Sequence, residues 1–258
     1  MHTPVSIGLI GTTDASIVAA LAPRIERLGF HALWLNDVPG GDSLAGLRVA
    51  AAATERLGLA TGVIPLDRRP VDTLDLAGLP EARTSIGIGS GRIAHPLAFV
   101  EQGVARLRER CDAEIILGAL GPRMRRLAAE RADGVLLNWL TPQAASATTA
   151  ELRASAGERR ARSVLYTRTV VDDDARAELE AESERYEQVP AYAANFARLG
   201  IRAIDATIDG AGGVAAYEST VDEIVLRAIT PSGSLAELER FVETTAAWVE
   251  RAAEVRPV

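Results

Sequence analysis

Several side chains in this 258-residue chain suit proton transfer or anion binding, and each follows an apolar run. Asp37 follows HALWLN and precedes a Pro39-Gly40-Gly41-Asp42 turn; its carboxylate could orient a polar ring, handle a proton, or simply cap the turn. His95, just before Pro96, is an imidazole at a loop-to-helix junction, suited to proton donation or merely to a helix start. In Gly118-Ala119-Leu120-Gly121-Pro122-Arg123, Gly121 precedes a proline at a helix start. Free backbone N–H groups and the helix dipole there form an anion site that Arg123 would reinforce; the plain alternative is a tight strand-to-helix turn. Asn138-Trp139, Arg168 and Arg227 with Thr230 end later runs. Arg68-Arg69 lie beyond another, where two guanidiniums would meet an anionic ligand or stay solvated.

These groups need a common platform, and the element pattern supplies one. Short β-rich runs alternate with longer amphipathic stretches along the whole chain, the order of a parallel sheet wrapped by helices. Strands are expected at Val5–Ile10, His31–Asn36, Leu57–Ile64, Thr84–Ile88, Ala113–Leu117, Gly134–Asn138, Ser163–Val171 and Asp222–Ala228. Helices are expected at Ala15–Leu28, Ser43–Arg56, Pro96–Arg110, Pro122–Ala132, Pro142–Ala156, Asp174–Glu187 and Leu235–Ala253. Eight βα units over residues 1–258 predict one α/β domain, a closed (β/α)8 TIM barrel, whose chemistry sits at the carboxyl ends of the strands. A dinucleotide-binding sheet fits less well: after Gly87 and Gly89, the third glycine of G-x-G-x-x-G would fall on Arg92. The segment from Asp172 to Thr220 is longer than one connecting helix needs and carries four aromatic residues, so it predicts extra helices over the barrel mouth, between strands seven and eight.

Composition removes many functions. Hydrophobic residues make up 48% of the chain, enough to bury a core. All 28 basic residues are arginine, which excludes lysine Schiff-base chemistry and a Walker-type phosphate lysine. A net charge of −7 argues against nucleic acid as a partner. The single cysteine, Cys111, forbids an intrachain disulfide, and His2, His31 and His95 are too scattered for metal-ligand spacing, so no metal is expected. No signal or transmembrane pattern is present, which predicts a cytoplasmic protein without a membrane partner.

The segments Gly29–Pro70 (GFHALWLNDVPGGDSLAGLRVAAAATERLGLATGVIPLDRRP), Ser85–Gly91 (SIGIGSG), Gly118–Pro142 and Asp222–Val242 resemble, in order, successive units of the luciferase-like flavin-dependent oxidoreductases. The similarity is greatest to the branch that uses the deazaflavin coenzyme F420. The resemblance implies a luciferase-like TIM barrel with a flavin or deazaflavin across the strand ends. Asp37 matches the acidic residue near the ring system, and Gly62-Val63 a bulge behind the ring, often a non-prolyl cis peptide, with Thr61 just before it. Leu120 and Gly121 match backbone donors to the cofactor phosphate, with Arg123 beside them, and Asn138 matches a polar contact ending strand six. Glycine lets backbone approach a flat ring, and a helix amino terminus favours phosphate.

Two residues depart from that pattern. Val38 stands where many relatives carry histidine, and Arg92 where some deazaflavin-dependent relatives carry a catalytic glutamate, so the proton donor does not transfer; Asp37 and His95 are the candidates. The leading expectation is hydride transfer between F420 and a small organic substrate. An FMN-dependent monooxygenase on the same barrel is the second reading, and a member without catalysis the third. Small residues along Ser43–Arg56 would permit close helix contact with a second chain, leaving room for a homodimer.

Overall fold

The computed structural model describes residues 2–254 and closes into a parallel barrel. Its strands are β1 (Val5–Ile10), β2 (Ala32–Asn36), β3 (Gly58–Thr61), β4 (Ile64–Pro65), β5 (Thr84–Gly89), β6 (Glu114–Gly118), β7 (Gly134–Asn138), β8 (Arg162–Thr169) and β9 (Glu223–Ala228). Hydrogen bonding runs in the order β3-β2-β1-β9-β8-β7-β6-β5-β4, and β3 also pairs with β5, which closes the ring. β3 and β4 are therefore one stave in two pieces, giving the eight staves of a TIM barrel.

The break replaces the continuous strand expected over Leu57–Ile64. The Gly62-Val63 peptide is cis, as the resemblance implied. The ladder resumes only where Ile64 pairs with Ile88. Thr61 spans the gap: its hydroxyl donates to the Gly87 carbonyl at 2.9 Å and accepts from the Gly87 N–H at 2.8 Å. Glycine is required at position 87 because a Cβ there would lie 1.9 Å from the Thr61 carbonyl oxygen.

The helices are α1 (Ala15–Arg27), α2 (Ser43–Ala53), α3 (Pro96–Arg108), α4 (Pro122–Arg131), α5 (Pro142–Ala156), α6 (Arg176–Glu187), α7 (Pro190–Leu199), α8 (Ala211–Ala216) and α9 (Leu235–Glu254). Side-chain oxygens of Asp14, Asp42 and Thr141 cap α1, α2 and α5, while proline opens α3, α4, α5 and α7. The third unit has no α-helix between β4 and β5, only 3-10 turns at Val71–Thr73 and Glu81–Arg83. Arginines satisfy carbonyls around it: Arg110 donates to Val71 and Leu74, and Arg83 to Ala51, Thr54 and Leu57.

Two apolar layers hold the barrel. The larger lies between staves and helices and includes Ile7, Leu33, Leu35, Leu117, Leu226 and Phe241. The smaller fills the interior with Trp34, Ile116, Leu136, Val164, Tyr166 and Val225. Below it, Arg162 pairs with Glu114 and Glu223, and Glu223 accepts from Ser6 Oγ and Trp34 Nε1, both at 2.6 Å. This network plugs the amino-terminal end of the barrel, beside a 670 Å³ cavity reached by His31, Arg83 and Arg162. That cavity lies opposite the strand carboxyl ends, where barrel residues support stability rather than chemistry.

Candidate functional site

The strand carboxyl ends form a mouth with two unlike halves. One half is built from glycines. The Val63 side chain rests on β5 and β6: a Cβ on Gly89 would meet Val63 Cγ2 at 2.9 Å, and one on Gly118 would meet Val63 Cγ1 at 3.1 Å. Val63 is only half-buried, so these glycines seat an apolar side chain that still presents a face at the mouth. Gly62 points into the barrel, where an added Cβ would crowd Trp34 and Leu136.

Next to this half, Leu120 and Gly121 lead into α4. Gly121 has φ −91° and ψ 159°, open to any residue, and a Cβ there would meet nothing within 4 Å. Neither backbone strain nor packing calls for glycine at this position. No side chain caps α4 and no acidic residue lies in its first turn, so its leading N–H groups and positive dipole end are available to an anion. Arg123 and Arg126, with Glu101 and Glu130, line a 510 Å³ groove between α4 and α3. Among the described residues neither of these arginines nor the exposed Arg92 makes an ion pair.

The other half is polar and aromatic, and α6 and α7 cover it, in agreement with the extra helices expected here. Asn138, Arg168 and Arg227 project from β7, β8 and β9, with Arg168 and Arg227 facing each other in register. Arg168 is 3% exposed; its Nε donates to Glu182 at 2.8 Å and its Nη1 to Asn138 Oδ1. Its guanidinium lies 4.0 Å from the Trp139 ring centroid and 4.8 Å from that of Tyr186. Tyr186, Tyr192 and Phe196 of the covering helices complete the aromatic cluster around Trp139.

Burial opposes the charges of this half, and their pairing overcomes it. The Arg168 pKa lies above its usual value because Glu182 outweighs desolvation, and the Glu182 pKa lies below the usual carboxylate value because Arg168 and Arg227 do the same. Burial pushes the Tyr166 hydroxyl up to about 12, against the opposing influence of Arg227 and Arg168. That hydroxyl is buried and has no hydrogen-bond partner among the described residues.

The remaining expected residues are exposed or already engaged. Asp37 is buried, and its carboxylate accepts from Ser43 Oγ at 2.9 Å, Arg68 Nη2 at 3.2 Å and Arg69 Nη1. Arg68 and Arg69 are therefore held by Asp37, and Arg69 also by Asp42 at 3.0 Å, rather than left free to attract an anion. His95 is the exposed residue before α3, with φ 58° and ψ 51°. The Thr61 hydroxyl is used entirely within the barrel wall. Sequence reasoning missed Glu182, Tyr186 and Tyr192 as site residues: AELEAESERY of α6 reads as a solvated acidic helix, with no local mark on the one glutamate that turns inward.

The luciferase-like monooxygenase family matches residues 3–113 and 104–254. The chain belongs to this family. A curated relative, the 5,10-methylenetetrahydromethanopterin reductase of Methanolobus tindarius, is 27% identical over 49% of this chain and 51% of its own, so the chain spans about half that relative's length. Among solved structures, the coenzyme F420-dependent tetrahydromethanopterin reductase of Methanopyrus kandleri superposes with a TM-score of 0.69 at 17% identity, covering 97% of this chain and 99% of that one. The monooxygenase RslO1 of Streptomyces bottropensis gives 0.69 at 19% identity over the same shares. At these identities the superpositions establish the luciferase-like barrel and nothing finer. Among the described residues no helix is long and apolar enough to cross a membrane.

Proposed function

We propose that this chain is an oxidoreductase that binds coenzyme F420 and acts on a small organic substrate by hydride transfer. The observation that carries the reading is the half-buried Val63 seated on Gly89 and Gly118 beside the uncapped start of α4 at Gly121. A flat ring system needs a backbone-lined apolar wall, and a phosphate needs unpaired N–H donors; the two lie on adjoining units. Val63 and Gly62 would back the ring, Leu120 and Gly121 would meet the phosphate, and Arg123 would add a guanidinium. When bound, the deazaflavin supplies a ring carbon that gives or takes a hydride. The protein orients the ring, excludes water beneath α6 and α7, and handles the proton.

F420 is preferred over FMN because its tail carries carboxylates beyond the phosphate, and Arg92, Arg123 and Arg126 supply unpaired positive charge for them. Asp37 acts through Arg68 and Arg69 as a positioning residue, and Asn138 through Arg168. His95, whose imidazole makes no hydrogen bond among the described residues, is the proposed proton carrier. A second copy would dock on the small outward residues of α2, such as Ala45 and Ala52.

Fluorescence titration of the purified protein with F420, and separately with FMN, tests the reading. Saturable F420 binding at one per chain, tighter than FMN, is expected. Tight FMN binding with none of F420 would transfer the protein to the monooxygenase reading, and binding of neither would overturn both.

A further inference from the structure

The polar half of the mouth holds more buried positive charge than the protein neutralises. Arg168 and Arg227 are 3% and 7% exposed and adjacent in register on β8 and β9. Among the described residues Glu182 is the one carboxylate that reaches both, at 2.8 Å from Arg168 Nε and 3.9 Å from Arg227 Nη2. The second contact is too long for a hydrogen bond. Glu182 also meets Arg185 at 3.8 Å, but that side chain is 68% exposed and solvated. Arg168 is well supplied with acceptors, having Glu182, Asn138 Oδ1 and two aromatic faces. Arg227 is not: its hydrogen-bond acceptor among the described residues is the neighbouring Ala228 carbonyl. A guanidinium carries five N–H donors, so most of those on Arg227 have no protein partner.

A second, independent group points to the same place. Tyr166, on β8, is 3% exposed and its hydroxyl has no partner among the described residues. It reaches the Gly8 position on β1, where a Cβ would lie 2.9 Å from the hydroxyl oxygen. Gly8 is the register partner of Arg227 on β9. An unpaired O–H donor and a donor-rich guanidinium thus converge on the β9–β1 side of the mouth, beneath the helices that cover it. Buried donors in excess of acceptors mark a place where an acceptor ligand completes the set.

We propose that Arg227 and the Tyr166 hydroxyl form a substrate subsite for an oxyanion, a carboxylate or a group of like charge and shape, with Arg168 contributing the second positive charge. Glu182 holds Arg168 in place and at the same time competes electrostatically with the incoming anion. The inference rests on the proposed function in taking the covered mouth as the substrate chamber. It gives that substrate a chemical class: a small organic molecule bearing an anionic group, which the arginines fix by paired N–H donors while the reacting carbon faces the glycine-lined half.

Calorimetry of the cofactor-free chain with succinate and with sulfate, in a low-salt buffer, tests this. The wild type should bind one anion per chain. Arg227→Met should weaken binding at least tenfold, Tyr166→Phe several-fold, and Glu182→Gln should tighten it several-fold, because removal of a competing carboxylate leaves both guanidiniums to the ligand. A merely structural Glu182 would not produce that gain, and Glu182→Gln keeps the test open if Arg227→Met misfolds. Absence of saturable binding, or equal affinity in the wild type and all folded variants, would overturn the subsite. Repeating the titration with F420 present separates the sources of negative charge: undiminished anion binding supports a substrate group, and loss of it assigns the site to the cofactor instead. Anion binding without F420 binding would sink the cofactor reading alone, and F420 binding without anion binding would sink this inference alone.

Discussion

The guanidinium of Arg168 lies over the ring of Trp139, 4.0 Å from its centroid, while its Nε donates to Glu182 across the 14 residues that separate strand from covering helix. This one side chain joins the barrel wall to α6. Replacing it leaves Glu182 with only the long contact to Arg227 and the exposed Arg185. Breaking a buried pair by removing one partner costs about 3–5 kcal/mol. Arg168→Met should therefore lower the urea unfolding free energy by about 3 kcal/mol and shift Trp139 emission. A loss under about 1 kcal/mol would show that the pair is solvated.

The Thr61 hydroxyl satisfies both the N–H and the carbonyl of Gly87 where the stave is broken. Thr61→Val keeps the shape and strands both groups. Each unsatisfied buried group costs about 1–3 kcal/mol, so a destabilisation of at least about 2 kcal/mol is expected in denaturant melts. A near-neutral result would mean that another group takes over.

The order of the barrel was legible in the chain because buried parallel strands read as short apolar runs and the helices between them as amphipathic stretches, as in VSIGLI and ALWLN. The third unit was less so. A run through Ile64 looks continuous, and nothing in its apolar pattern marks where the ladder stops. Family resemblance marked Gly62-Val63 as a bulge; hydrophobicity did not. The polar half of the mouth was half legible. Asn138, Trp139, Arg168 and Arg227 fall at strand ends and so could be found, whereas Glu182 and Tyr192 reach them from a connection whose path over the mouth is set by packing. The pairing of Asp37 with Arg68 and Arg69 joins two separate loops and leaves no trace in spacing.

Asp37 is expected to position rather than to exchange protons, because its carboxylate is bound by two arginines and Ser43. Asp37→Asn should lower thermal stability and weaken cofactor binding, yet leave both limbs of the kcat pH profile in place. Disappearance of one limb would make Asp37 an acid or base in the reaction.

Burial holds Tyr166 and Tyr192 at about 12 and raises Tyr217 as well. In the unfolded chain each ionises near its ordinary value of about 10. The folded state therefore keeps protons that the unfolded state loses: the stability from these groups is whole below pH ~10 and falls as pH rises toward the folded values, by up to about 1.4 kcal/mol per pH unit per tyrosine. Absorbance at 295 nm should show these tyrosines of the native protein ionising late, together with unfolding. Ionisation of all four near the ordinary value in the native protein would contradict the burial.

In the proposed complex a phosphate-bearing deazaflavin lies across the mouth with its anionic part at Gly121. Calorimetric titration of F420 into the wild type, Arg123→Ala and Gly121→Val measures that contact. Binding about tenfold weaker is expected for Arg123→Ala, the equivalent of about 1.4 kcal/mol for one charge-assisted hydrogen bond, with a smaller salt dependence than the wild type. A larger loss is expected for Gly121→Val, whose Cβ would enter open space with no protein atom within 4 Å. Equal F420 affinity in all three proteins would contradict the placement of the cofactor.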